Sequence, residues 1–182
     1  MREGTILAAV ATLACSAPST TNTAAAARFQ ADSIAWSATT PLPSGRDHHV
    51  TFVTVRGGNA FLWVVGGNDY RRTMSDAWRA PISKDGSLGS WTAGPNLPGQ
   101  RAGMGIAANE RHVFITGGKD SAQRTVTDIF SAPINADGTL GAWSPAGTLP
   151  GPRFHHATLI DGDYLYVVGG LEASISVPAV LR

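Results

Sequence analysis

The chain has 182 residues, 14 basic and 13 acidic side chains, a net charge of +1 and 43% hydrophobic residues. That length fits one domain or part of a larger one, the near-neutral balance argues against nucleic-acid binding, and the apolar content argues against a disordered chain. A single cysteine excludes an intrachain disulfide, and no apolar run reaches the roughly 18 residues of a membrane-spanning helix.

Residues 5–14 (TILAAVATLA) form a short apolar run behind Arg2. It has the length of a secretory signal core and is too short to cross a bilayer. The run ends at Cys15, in the context Thr12-Leu13-Ala14-Cys15. This resembles a bacterial lipoprotein signal, although Thr12 stands where that pattern prefers Leu and Glu3 offsets Arg2. The resemblance implies cleavage before Cys15, lipidation of its sulfur, and a Ser/Thr/Ala-rich tether over residues 16–31. The alternatives are ordinary secretory cleavage at a small-x-small site in residues 24–27, and a leader with no sorting role. Residues 1–27 are therefore read as leader and linker. The expected location is outside the cytoplasm, either lipid-anchored to the cell envelope or free in the periplasm or exterior. A lipid anchor is the only membrane contact expected.

Residues 28–182 are dominated by a repeat, which must be recognised before any element is assigned. Trp36, Trp91 and Trp143 stand 55 and 52 residues apart, as do Arg46, Arg101 and Arg153. The pairs Gly66-Gly67, Gly117-Gly118 and Gly169-Gly170 are 51 and 52 apart. Residues 80–91 (APISKDGSLGSW) match residues 132–143 (APINADGTLGAW) at 8 of 12 positions. The units run over about 46–98, 101–150 and 153–182, with a lone strand expected over 36–43.

Within a unit the elements are short strands. Residues 48–55 (HHVTFVTV) are rich in β-branched side chains. Residues 61–65 (FLWVV), 113–116 (VFIT) and 164–168 (YLYVV) are continuous apolar runs ended by Gly-Gly. Such runs read as strands buried on both faces. Residues 76–82 supply a third strand. Asp85-Gly86 and Asp137-Gly138 are hairpin turn signals, since both central positions can take positive φ. Trp91 opens a short fourth strand that Pro95 closes. No sustained 3.6-residue period occurs outside the leader.

Four strands in about 50 residues describe a β-propeller blade, because a lone meander cannot bury both faces and stacked blades can. Arg46, Gly66-Gly67 behind an aromatic-aliphatic strand, Asp76, Trp91 and Arg101 resemble the kelch family. The second unit repeats the pattern through Gly117-Gly118, Asp128, Trp143 and Arg153. The third-strand aromatic of that family is represented by Trp78 and Phe130, displaced by the Ala-Pro step. The Ala-Pro-Ile, Asp-Gly and Leu-Gly elements look like a bacterial subtype. The resemblance implies an all-β, kelch-type propeller of two and a half to three blades, with residues 175–181 as a degenerate third strand. Propellers close with 4 to 8 blades. Three explanations stand side by side: a piece of a longer propeller, two copies closing one six-bladed ring, or an open arc.

The resemblance implies a non-catalytic binding or interaction protein with a protein or glycan ligand and no cofactor. Its candidate binding residues are Tyr70, Arg71 and Arg72 in the loop after the first double glycine, and Lys119 and Arg124 in the second, because variable loops on a rigid scaffold carry recognition. The repeat residues Arg46, Arg101 and Arg153 are candidates for an anionic ligand, against a structural role holding carbonyls of a neighbouring blade. His48-His49 and His155-His156 invite a metal reading, but adjacent strand residues point to opposite faces and one pair cannot chelate through both rings. Kelch-fold oxidases need a Cys-Tyr crosslink, which a lone Cys15 in the leader cannot supply. A mutarotase acting on sialic acid needs an acid-base pair, and only Glu110 and Glu172 are glutamates beyond the leader. That enzyme and a non-functional truncated product are the alternatives.

Overall fold

A computed structural model describes residues 29–30 and 33–182. Cys15 and the leader lie outside the described residues. The architecture is all-β, with no helix among those residues. Two short strands, β1 (Phe29–Gln30) and β2 (Ser33–Ile34), pair ahead of the repeats.

The first blade is β3 (Val50–Arg56), β4 (Asn59–Val65), β5 (Ala77–Pro81) and β6 (Thr92–Ala93), an antiparallel meander in chain order. The second blade repeats it with β7 (Gly105–Ala108), β8 (His112–Thr116), β9 (Asp128–Pro133) and β10 (Ser144–Thr148). The third opens with β11 (Ala157–Asp161) and β12 (Tyr164–Val168). It then inserts a hairpin of β13 (Leu171–Glu172) and β14 (Ile175–Ser176) before β15 (Val180–Leu181) pairs with β12. The expected degenerate strand is thus split. Val180 faces Val168 across the ladder as Ala77 faces Val65.

Three details differ from the sequence-based expectation. No strand forms over residues 36–43, because no neighbouring strand pairs with them. The segment is instead held to the first blade by Thr40, whose hydroxyl donates to the Leu88 carbonyl at 2.7 Å. The first strand starts at Val50, because His48 sits at φ 50° and breaks the extended run. The Asp-Gly turns place only the glycines at positive φ, Gly86 at 85° and Gly138 at 84°. Gly86 N–H returns to the Ser83 carbonyl and Gly138 N–H to that of Asn135. Each is therefore a wider loop closed by a left-handed glycine.

The core lies between blades. Val50, Trp63 and Val65 of the first meet Val113, Ile115, Ala132 and Ile134 of the second. Trp63 is fully buried, and its indole N–H donates to Thr54 Oγ1 at 2.9 Å. Thr54 donates onward to the Gly138 carbonyl of the next blade at 2.7 Å. This relay satisfies two buried polar groups inside an apolar seam. The second seam is more polar: Thr116 Oγ1 lies 2.7 Å from His156 Nε2 and 2.8 Å from Thr158 Oγ1. At the outer rim, Trp91 donates to the Thr40 carbonyl at 3.2 Å and Trp143 to the Pro95 carbonyl at 3.0 Å. Thr40 and Pro95 each stand four residues after a repeat Trp. Residues 36–43 therefore occupy the place that an outer strand of a preceding blade would hold.

Candidate ligand-binding end of the propeller

The first strands begin, and the second strands end, at one end of the blades. Bridges between Asp47 and Asn68, Ala102 and Lys119, and Phe154 and Leu171 tie the two sets together there. The double glycines make this possible. A Cβ on Gly66 would come within 2.6 Å of the Arg101 carbonyl oxygen. The Gly67 amide donates to Arg101 O at 2.9 Å, and the Gly118 amide to Arg153 O at 2.7 Å. A second chain of bonds runs alongside: Gly103 N–H to His48 O, and His155 N–H to Gly103 O, both at 2.8 Å. Two backbone bonds thus cross every seam at this end.

Positions 48, 103 and 155 are equivalent in the repeat, and all are left-handed, at φ 50°, 63° and 54°. His48 and His155 stack with ring centroids 4.9 Å apart and planes 19° from parallel. The glycine between them leaves room, since a Cβ there would lie 2.9 Å from His155 Cδ2. His48 Nδ1 lies 2.9 Å from Asp47 Oδ1. Lys119 Nζ sits 4.3 Å above the Phe154 ring, a cation–π contact. His48, Asn68, Gly103, Lys119, Phe154 and His155 line a cleft of about 140 Å³. Burial, then the charges of His48 and Lys119, push the His155 pKa down. The stacked rings are near-parallel and do not converge on a point. Among the described residues no group of three His, Cys, Asp or Glu side chains could hold a metal ion.

The two variable loops flank this cleft and are held by carboxylates. Asp69 Oδ1 accepts the amides of Arg71 and Arg72 at 3.1 and 3.0 Å. Asp120 Oδ1 accepts those of Ala122 and Arg124, both at 2.9 Å. Burial works to raise the Asp69 pKa, but the two amides together with the Arg72 and Arg71 charges outweigh it and hold it below the usual range. Asp120 is lowered by the Arg124 amide and guanidinium. Tyr70 is 98% exposed at φ 66°. Arg72 and Arg124 are drawn to their loop carboxylates at 3.8 and 2.7 Å. Arg71 and Lys119 make no ion pair among the described residues.

The repeat arginines face inward into the blades. Arg46 bonds Asp76 with both terminal guanidinium nitrogens, at 2.9 and 3.0 Å, and also donates to the Gly66 carbonyl. Arg101 bonds Asp128 at 2.7 Å. Burial tends to raise the Asp76 pKa, and bonds from Arg46 and Trp78 override it. Arg153 donates to the Gly169 carbonyl at 3.0 Å, the equivalent of the Arg46–Gly66 bond. No carboxylate lies within 4 Å of it among the described residues, because Ala179 stands where the repeat has Asp76 and Asp128.

The structure therefore brings Tyr70, Arg71, Arg72, Lys119 and Arg124 to one end and leaves Arg46, Arg101 and Arg153 beneath it. The histidine stack was missed from the sequence, where His48-His49 and His155-His156 were read as adjacent pairs. The signal was the repeat offset itself, which aligns His48, Gly103 and His155.

No protein-family profile matches the chain. Kelch-like protein 36 of Bos taurus is 27% identical over 149 residues, which is 81% of this chain and 23% of that protein. The chain thus spans under a quarter of the length of that relative. Taken with the two four-stranded meanders and the third that follows them, this likeness makes the fold a partial kelch-type β-propeller.

Proposed function

We propose that the chain is a non-catalytic kelch-repeat binding module that takes an acidic protein segment at the end carrying residues 68–73 and 119–125. The observation that carries this reading is the pair of Asp-anchored loops beside the histidine cleft. They hold Tyr70 and Arg71 outward, with Lys119 between them and the cleft, on a rigid base. Aromatic and cationic side chains that are pre-positioned lose little entropy on binding. The hydroxyl–imidazole contact near this end, Thr116 Oγ1 to His156 Nε2 at 2.7 Å, is buried in the seam between blades rather than open to a substrate, which favours binding over turnover.

The test is binding of the purified chain to arrays of acidic peptides and of glycans. Retention of acidic peptides, lost in a Tyr70→Ala/Arg71→Ala/Lys119→Ala variant of unchanged fold, is the expected result. Binding confined to glycans, or catalysed mutarotation of sialic acid, would overturn the reading.

We also propose export, with Cys15 as the lipid attachment point in a bacterial envelope. Incorporation of labelled palmitate that disappears in Cys15→Ser is expected, and equal labelling of both would reject it.

A further inference from the structure

We infer, resting on the acidic-segment reading above, that the cleft between His48, Lys119 and His155 is the pocket for that segment's carboxylate. The carboxylate of an aspartate or glutamate side chain enters it together with a proton. Every group involved lies between Asp47 and His155, inside the blades.

Four side chains make one continuous stack across the blades. Lys119 Nζ lies 4.3 Å above the Phe154 ring, Phe154 tilts against His155 at 4.6 Å, and His155 stacks on His48 at 4.9 Å. The stack ends at Asp47, whose carboxylate is 2.9 Å from His48 Nδ1. Lys119 and His155 are thus fixed in place with the Phe154 ring between them. Neither has an acceptor: the Lys119 ammonium and both His155 ring nitrogens make no hydrogen bond or ion pair among the described residues. Asn68 lines the same cleft, and its Oδ1 accepts the Tyr70 amide at 3.5 Å, which leaves its Nδ2 as a donor. Gln123 is already engaged, donating to Thr73 Oγ1 at 3.2 Å. The cleft is therefore rich in donors that face no acceptor, and an ionised carboxylate only accepts. Charge-assisted bonds of this kind are the strong ones.

The surrounding charges decide how the pocket responds to pH. His155 faces Asp47 and His48 from the first blade and Lys119 from the second. On its own blade, Arg153 and His156 turn into the seam, towards Gly169 and Thr116. Arg46 and Arg101 are paired with Asp76 and Asp128, and Asp69 and Asp120 are held by their own loop amides. The one carboxylate on the stack, Asp47, is spent on His48, so none offsets Lys119. Burial, then His48 and Lys119, lower the His155 pKa and keep this ring neutral in the empty pocket at pH 7. A bound carboxylate opposes all three influences and favours the imidazolium. Affinity should rise as the pH falls from about 7.5 to 5, and decline again once the carboxylate itself is protonated near 4. One fixed ammonium also suits a monoanion better than a phosphate dianion.

The test uses N-acetylglutamate α-amide, which carries one side-chain carboxylate, with the glutamine analogue and inorganic phosphate as controls. The readout is the titration of the His48 and His155 ring resonances in the unaltered protein. The glutamate compound should move both and raise the His155 pKa by about one unit, equivalent to about tenfold tighter binding to the protonated form. The glutamine analogue should move neither. His155→Asn, a residue that tolerates positive φ, should abolish the pH dependence of binding, and Lys119→Met should weaken binding at every pH, with circular dichroism confirming both folds. An unmoved or lowered His155 pKa, an equal response to the glutamine analogue, tighter binding of phosphate, or an unaltered pH profile in His155→Asn would overturn the proposal. Acidic-peptide retention that is indifferent to His155 would sink the pocket and leave the binding reading intact. A glutamate response without peptide retention would do the reverse.

Discussion

His48 and His155 stack face to face across Gly103, 4.9 Å between centroids, although they come from the first and third blades. Three left-handed residues in equivalent positions make the contact, and only the middle one lacks a side chain. Gly103→Ala should therefore lower the unfolding free energy by about 1–2 kcal/mol, because it places a Cβ at positive φ against an imidazole. Urea titration measures the loss, and His48 and His155 ring resonances should move with it. An unchanged midpoint would remove the steric argument.

His156 gives the fold a pH dependence. Burial, then the charges of Arg153 and His155, push its pKa down from 6.5 to about 4. The folded state therefore holds it neutral while the unfolded state protonates near 6.5. Stability is level above that pH and falls as the pH drops from 6.5 towards 4, by on the order of 3 kcal/mol for this group. His155 and His49 are shifted in the same direction and add to the fall. Denaturant midpoints measured from pH 7.5 to 4 should decline, and His156→Gln should flatten part of the slope.

The Arg46–Asp76 pair is open to a direct comparison with its altered third copy. Asp76→Ala leaves a fully buried guanidinium without its carboxylate and should cost about 2 kcal/mol, reduced from the value for a wholly buried pair because Asp76 is partly wetted. The reverse change, Ala179→Asp, gives Arg153 the partner that Arg46 has and should raise the melting temperature. A drop in melting temperature for Ala179→Asp would show that the third blade has no room for the carboxylate.

Thr54→Val tests the seam between the first two blades. It strands the Trp63 indole N–H and the Gly138 carbonyl in an apolar layer. The expected loss is about 1–3 kcal/mol. Thr54→Ser keeps the hydroxyl and should lose less, as read by thermal melting.

Much of this was legible in the sequence, and the reason is the repeat. The runs at 61–65, 113–116 and 164–168 form strands because each is apolar on both faces and bounded by Gly-Gly; blades on either side keep 113–116 dry, whereas Tyr164 and Val168 of the last run are exposed, so burial on both faces does not hold there. The short fourth strand was located but starts one residue late, at Thr92, because Trp91 turns its indole to the Thr40 carbonyl. Residues 36–43 were misread as a strand because Trp36 repeats the motif of Trp91 and Trp143 without a neighbouring strand to pair with, and Trp36 is left 85% exposed. The loop residues Tyr70 to Arg72 stood out because the units differ there. The histidine stack did not, because its partners are more than 100 residues apart in the chain and only the fold brings them together.

The two amide bonds that cross each seam are the same from one blade to the next, and both use main-chain atoms. A gene encoding this chain can therefore lengthen by duplicating a whole unit at any boundary, since a newcomer is received by its neighbours without new side-chain chemistry at the axis. Loop sequences beyond the double glycines are then free to diverge, one copy at a time, while the hub they stand on stays the same.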